Sequence, residues 1–152
     1  MIAMNTKLKG DIAEQAAIFH ALKQGWGCLL PIGDRLPYDI AFDINGRLVR
    51  IQVKNAWMEK DSGNYVVDNR RTKTNRRIMK RESYQKSDFD FALVYLEDKD
   101  LFYIFPVEMF ISYGSEIHIV ESQKRQRKPR SAQFREAWSL ISQWAAQKEI
   151  SM

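Results

Sequence analysis

Asn45-Gly46 is the strongest short turn signal in this chain, because a two-residue loop that follows strand twist needs positive φ at both central positions. It fixes register as well as topology. Residues facing each other across such a loop have numbers that sum to 91, so Asp39 falls opposite Gln52 and their side chains share one face. Lys54, two residues further on, joins that face by the period of two. A carboxylate, an amide and an ammonium are thus expected together in a segment otherwise rich in apolar residues: Ile40, Phe42, Ile44, Val49, Ile51 and Val53. Buried there without partners they would be costly. The wet face of an antiparallel strand alternates in the same way, so the pattern by itself allows either a site or a solvated surface.

The chemistry that uses such a set is metal-dependent cleavage of a phosphodiester. A carboxylate holds a hard cation, and a lysine polarises the attacking water or steadies charge on the phosphorane. Pro37-Tyr38-Asp39, a gap of twelve residues and Gln52-Val53-Lys54 follow a helix that carries Gly10-Asp11-Ile12-Ala13-Glu14. Together these resemble the PD-(D/E)XK nuclease superfamily, and within it the homing endonucleases of cyanobacterial tRNA group I introns. Two positions depart from the superfamily pattern: Tyr38 separates the proline from the aspartate, and Gln52 stands where an acid is usual. The resemblance implies a restriction-endonuclease-like α/β core, a mixed central sheet flanked by helices. It makes Asp39 the metal aspartate, Glu14 the helix acid, Gln52 the occupant of the second acidic slot and Lys54 the catalytic lysine. The backbone carbonyl of Val53 would be a further ligand to Mg²⁺, with Mn²⁺ able to substitute. The expected activity is site-specific hydrolysis of double-stranded DNA, leaving 5′-phosphate ends, by a homotetramer. Two rivals follow from the same residues: a Holliday-junction resolvase, and a DNA-binding protein whose nuclease core has lost activity through Gln52.

Charge points to the same partner independently. The formal charge of +5 conceals segregation: residues 69 to 81 hold Arg70, Arg71, Lys73, Arg76, Arg77, Lys80 and Arg81 without an acid. Residues 123 to 130 add Lys124, Arg125, Arg127, Lys128 and Arg130, again without one. Half of the 24 basic residues lie in these two stretches, and the twelve others share the rest of the chain with 19 acids. Such blocks suit a phosphate backbone, where each neutralised phosphate releases counterions. In the first block arginine can bond guanine bidentately, and Asn69 or Asn75 can bond adenine. With the short strand expected at residues 64 to 68, the insertion at about 60 to 86 reads as a DNA-contacting β-ribbon. The second block reads as a loop that clamps the backbone or simply leads into the last helix.

At 152 residues the chain is expected to form one nuclease domain. The apolar positions Leu8, Ile12, Ala16, Phe19 and Leu22 predict a first helix over residues 6 to 23, ended by Gly25. Strands are expected at 27 to 31, 38 to 44, 47 to 55, 88 to 96 and 101 to 105, a short helix at 106 to 110 and a last helix at 131 to 148. Trp138 and Trp144 lie on different faces of that last helix, which points to self-association. Met1 to Asn5 lacks the basic start of a secretory signal, and no run reaches the ~18 apolar residues a membrane span requires. A single Cys28 fits a reducing, cytoplasmic setting as a core residue. Two histidines, His20 and His118, are too few for a His-based zinc site, and His118 is expected to be partly buried.

Overall fold

The computed structural model describes residues 6–74, 79–122 and 128–147. Helix α1 (Thr6–Lys23) leads into β1 (Gly27–Leu29), β2 (Ile40–Ile44) and β3 (Arg47–Asn55). A peripheral group follows: β4 (Trp57–Met58), β5 (Tyr65–Asp68), β6 (Arg70–Thr74) and β7 (Met79–Ser83). The chain then returns through β8 (Phe91–Leu96) and β9 (Leu101–Pro106) to α2 (Val107–Ile111), β10 (Glu116–Ile119) and α3 (Ser139–Gln147). The central sheet runs β1-β2-β3-β8-β9. It is mixed, because β3 and β8 pair in parallel while the other neighbours are antiparallel.

The hairpin forms as its turn dictates. Asn45 and Gly46 take φ of 53° and 88°, and the pairs run from Ile40 with Ile51 to Ile44 with Arg47. Side chains alternate across the sheet and build two cores. On one side Phe42, Val49, Ile51, Val53, Leu93 and Ile104 pack with α1 and α3; on the other Ala92, Val94, Tyr103 and Phe105 pack with α2, β5 and β10. Every residue of β8 is buried, as a strand covered on both faces must be. Arg50 and Asp90 pin its start to β3. The Asp90 carboxylate accepts the Arg50 N–H at 2.8 Å and the guanidinium at 3.1 Å, and the Asp90 N–H donates to the Arg50 carbonyl.

Two helices depart from their sequence patterns. The stripe that α1 buries is Ala13, Ala17 and Ala21, while Leu8, Phe19 and Leu22 stand about half exposed. Small residues at i and i+4 let the helix backbone approach the sheet closely, and that packing outweighs the larger apolar residues one position away. The predicted last helix is divided. Residues Arg130–Phe134 make a tight turn, Arg135 is extended, Glu136 has φ of 49°, and α3 begins only at Ser139. Phe134 must reach Phe105 in one core and Trp138 must reach Phe102 in the other, so the chain wraps round the edge of β9 instead of coiling. Glu136 fastens the crossing: its carboxylate accepts the Phe102 N–H at 2.7 Å, and its own N–H donates to the Phe102 carbonyl at 2.8 Å.

Trp138 is buried, and Trp144 packs on Phe91 with the Arg47 guanidinium 3.6 Å above its ring. Both rings thus pack within the chain and carry no argument for self-association. Cys28 is partly buried against the first core. His118 faces outward from β10, contrary to the partial burial expected of it, because its neighbours Ile117 and Ile119 take the inward positions. Among the described residues no helix is long and apolar enough to cross a membrane.

Candidate active site

The polar face predicted from the turn is present. Asp39 sits just before β2, with its N–H donated to the Ile51 carbonyl at 2.8 Å. Its Oδ2 accepts the Gln52 side-chain amide at 3.0 Å and the Val53 N–H at 2.8 Å. The same amide nitrogen lies 3.3 Å from the Val53 carbonyl oxygen. Lys54, next on this face, is close enough for its charge to act on Asp39. Glu14 arrives from α1 and adds a second carboxylate.

Electrostatics sets these carboxylates against each other. Burial, then the charges of Asp39 and Asp11, push the Glu14 carboxyl up to about 7. Burial also pushes Asp39 up, opposed by the Val53 N–H and the Lys54 ammonium. Two carboxylates that resist ionising side by side, beside a backbone carbonyl and an amide, form an all-oxygen donor set suited to a hard dication. Among the described residues no three of His, Cys, Asp and Glu converge as a metal-binding group. The second strand supplies an amide, Gln52, beside Asp39. The donor set fits a divalent cation, which Asp39, Glu14 and the Val53 carbonyl would hold. Gln52 could join them by turning its amide so that Oε1 faces inward, the two ends of an amide being equal in size.

A family model described as PD-(D/E)XK endonuclease matches residues 4–141. The chain belongs to the PD-(D/E)XK endonuclease family. Among solved structures, that of a bacterial homing endonuclease, I-Ssp6803I, is 61% identical, with a TM-score of 0.90 over 97% of this chain and 100% of that one. Comparison with curated proteins gives no match.

The endonuclease places its predicted DNA-contacting residues unevenly. The β-ribbon exists: β6 and β7 pair antiparallel from Arg70 with Ser83 to Thr74 with Met79, which sets Arg71, Lys73, Lys80 and Arg81 along it. Asn75, Arg76 and Arg77 lie outside the described residues, as do Lys124, Arg125 and Arg127. Lys128 and Arg130 are exposed, and Arg130 stacks its guanidinium 4.1 Å from the Tyr113 ring. Arg70 bonds Asp68 at 3.1 Å and so is partly occupied. Asn69 is a correction. It is 3% exposed, and its amide donates to the carbonyls of Phe110 at 2.5 Å and Gly114 at 2.8 Å, so it ties the ribbon to the core and cannot reach a base. Tyr84 was not among the predicted residues, yet its ring faces Lys54. Nothing in its sequence neighbourhood signals this, because the contact is made only when β7 returns to the core.

Proposed function

We propose that this PD-(D/E)XK endonuclease is a homing endonuclease that cuts double-stranded DNA at a specific site with Mg²⁺, or with Mn²⁺ in its place. The observation that carries the reading is the meeting of Asp39, Glu14, Gln52, the Val53 carbonyl and Lys54 at the end of one hairpin. The bound cation would supply Lewis acidity to the scissile phosphate. Asp39 and Glu14 would hold it, and the Gln52 and Val53 N–H donors keep the Asp39 carboxylate in one orientation. Lys54 presents its ammonium to the phosphate and steadies the charge that develops as water attacks in line. Hydrolysis leaves a 5′-phosphate and a 3′-hydroxyl.

The ribbon at residues 70–83 and the basic residues 124–130 would bind the duplex, the ribbon lying in a groove and the second stretch along the phosphates. One site cuts one strand, so a double-strand break takes two copies of the chain. Phe19 and Leu22 on the outer side of α1, with Leu29, Leu30 and Ile32 after it, supply exposed apolar surface for self-association.

Cleavage of plasmid and four-way-junction DNA, in Mg²⁺ and in EDTA, tests the reading with wild type beside Asp39→Ala and Lys54→Met. Mg²⁺-dependent cutting at one discrete duplex position is expected, lost in both variants while Lys54→Met still binds the duplex. Cutting confined to junctions would assign a resolvase. Tight binding to a selected duplex with no cutting in any metal would mean that Gln52 marks an inactive core.

A further inference from the structure

Lys54 is carried by β3, and the roots of the ribbon meet it. Its ammonium donates to the Arg70 carbonyl at 3.0 Å and lies 5.0 Å from the centre of the Tyr84 ring. Arg70 is the first residue of β6, and Tyr84 follows the last residue of β7. Both roots of one insertion therefore meet at one charged group.

Each root is itself fixed. Asn69 holds the carbonyls of Phe110 and Gly114, and its N–H donates to the Ser115 carbonyl. The Asp68 carboxylate accepts the Arg70 N–H at 3.0 Å, which anchors the peptide just before the one whose carbonyl receives Lys54. Tyr84 is buried, with its ring edge-on to Phe89 at 5.2 Å and tilted against Phe110 at 6.1 Å. A lysine has a long, rotamer-rich stem, and its hydrogen bonds impose little direction. An aromatic face and a carbonyl on opposite roots of a β-ribbon are what narrow its range.

We propose that Tyr84 and the Arg70 carbonyl are the positioning elements of Lys54, so that the ribbon completes the nuclease site as well as contacting DNA. This rests on Lys54 acting in cleavage, as argued above. A displacement at the ribbon's base is then transmitted to the ammonium through a single peptide unit and a single ring. Groups that must lie within a fraction of an ångström of a reacting phosphate lose rate steeply when their support is loosened.

The test uses the full-length protein and a duplex selected in Ca²⁺ from a random-sequence pool. Tyr84→Leu removes the ring face and is expected to slow single-turnover cleavage in Mg²⁺ by roughly tenfold, the scale of one cation–aromatic contact. Duplex affinity in Ca²⁺ should stay within about twofold, and Tyr84→Phe, which keeps the face, should restore most of the rate. A rate loss accompanied by an equal loss of affinity, or one that Tyr84→Phe does not restore, would overturn the proposal. Because Tyr84 is buried and its truncation can unfold the chain, a second measurement uses the wild type alone. In ¹³C-lysine-labelled protein the Lys54 ε-methylene protons, assigned by their loss in Lys54→Met, should be shifted upfield by the Tyr84 ring. Resonances at ordinary lysine positions would reject the seat whatever the variants do. Unimpaired cleavage by Lys54→Met would instead reject the role of the lysine, with the upfield signal still reporting its seat.

Discussion

Replacing Glu14 by glutamine removes the charge that Asp39 and burial oppose, and the effect on stability reverses with solution conditions. Glu14 has an ordinary carboxyl near 4.5 and is pushed up to about 7, first by burial and then by Asp39 and Asp11. The folded chain therefore holds a proton on Glu14 that the unfolded chain releases from 4.5 upward. Stability from this group is complete below pH 4.5 and drains away as pH rises through 7. Each pH unit of displacement would be worth about 1.4 kcal/mol in a fully desolvated group. Glu14 is only half buried, and screening reduces the total to about 1–2 kcal/mol. In EDTA, Glu14→Gln should match the wild type at pH 4.5 and exceed it by that amount at pH 8. In Ca²⁺ at pH 8 the order should invert, since the wild type gains binding free energy that the neutral variant largely forgoes. Urea denaturation at both pH values, with and without Ca²⁺, measures all four cases. Parallel stability curves from pH 4.5 to 8 in EDTA would refute the reasoning, because Glu14 and Asp39 would then not oppose each other.

Gln52→Glu puts a carboxylate where an amide now donates to Asp39 at 3.0 Å. It should lower metal-free stability by about 2 kcal/mol and tighten Mn²⁺ binding at least tenfold by calorimetry; weaker Mn²⁺ binding would remove this face from the metal site. Asn69→Ala removes the donor to the Phe110 carbonyl in a buried contact and to the Gly114 carbonyl in a part-buried one, and should lower stability by about 1–2 kcal/mol in urea melts without changing which sequence is cut. An altered cleavage sequence at undiminished stability would return Asn69 to base reading.

What the sequence disclosed follows from how local each feature is. The hairpin was readable because two residues set its turn and the period of two places everything after it, which is why Asp39, Gln52 and Lys54 share one face. The two ribbon strands were foreshadowed by the basic block and the strand before it. The burial of Asn69 was not, because it depends on carbonyls of α2 and the turn after it, more than 40 residues away. In α1 the larger apolar residues suggested one stripe, and the sheet selected another made of alanines that the close approach required. The interrupted last helix is a tertiary decision as well: Phe134 and Trp138 have the spacing of one helical face, yet they belong to cores on opposite sides of β9.

The parallel pairing of β3 with β8 also bears on how the protein reaches its native state. The β2–β3 hairpin closes over two residues, on the microsecond scale of an isolated hairpin. The β3–β8 pair can zip only after the whole ribbon and β5 have been looped out, which raises the entropy lost before any contact rewards it. Three of the side chains that meet on the polar face are therefore aligned early in folding. Arg50 and Asp90 tie the two strands together at the start of β8 once they pair. A nascent chain would expose the β2–β3 hairpin as an unpaired strand edge throughout that interval, and the time taken to pair with β8 sets how long the edge is open to mispairing with another chain.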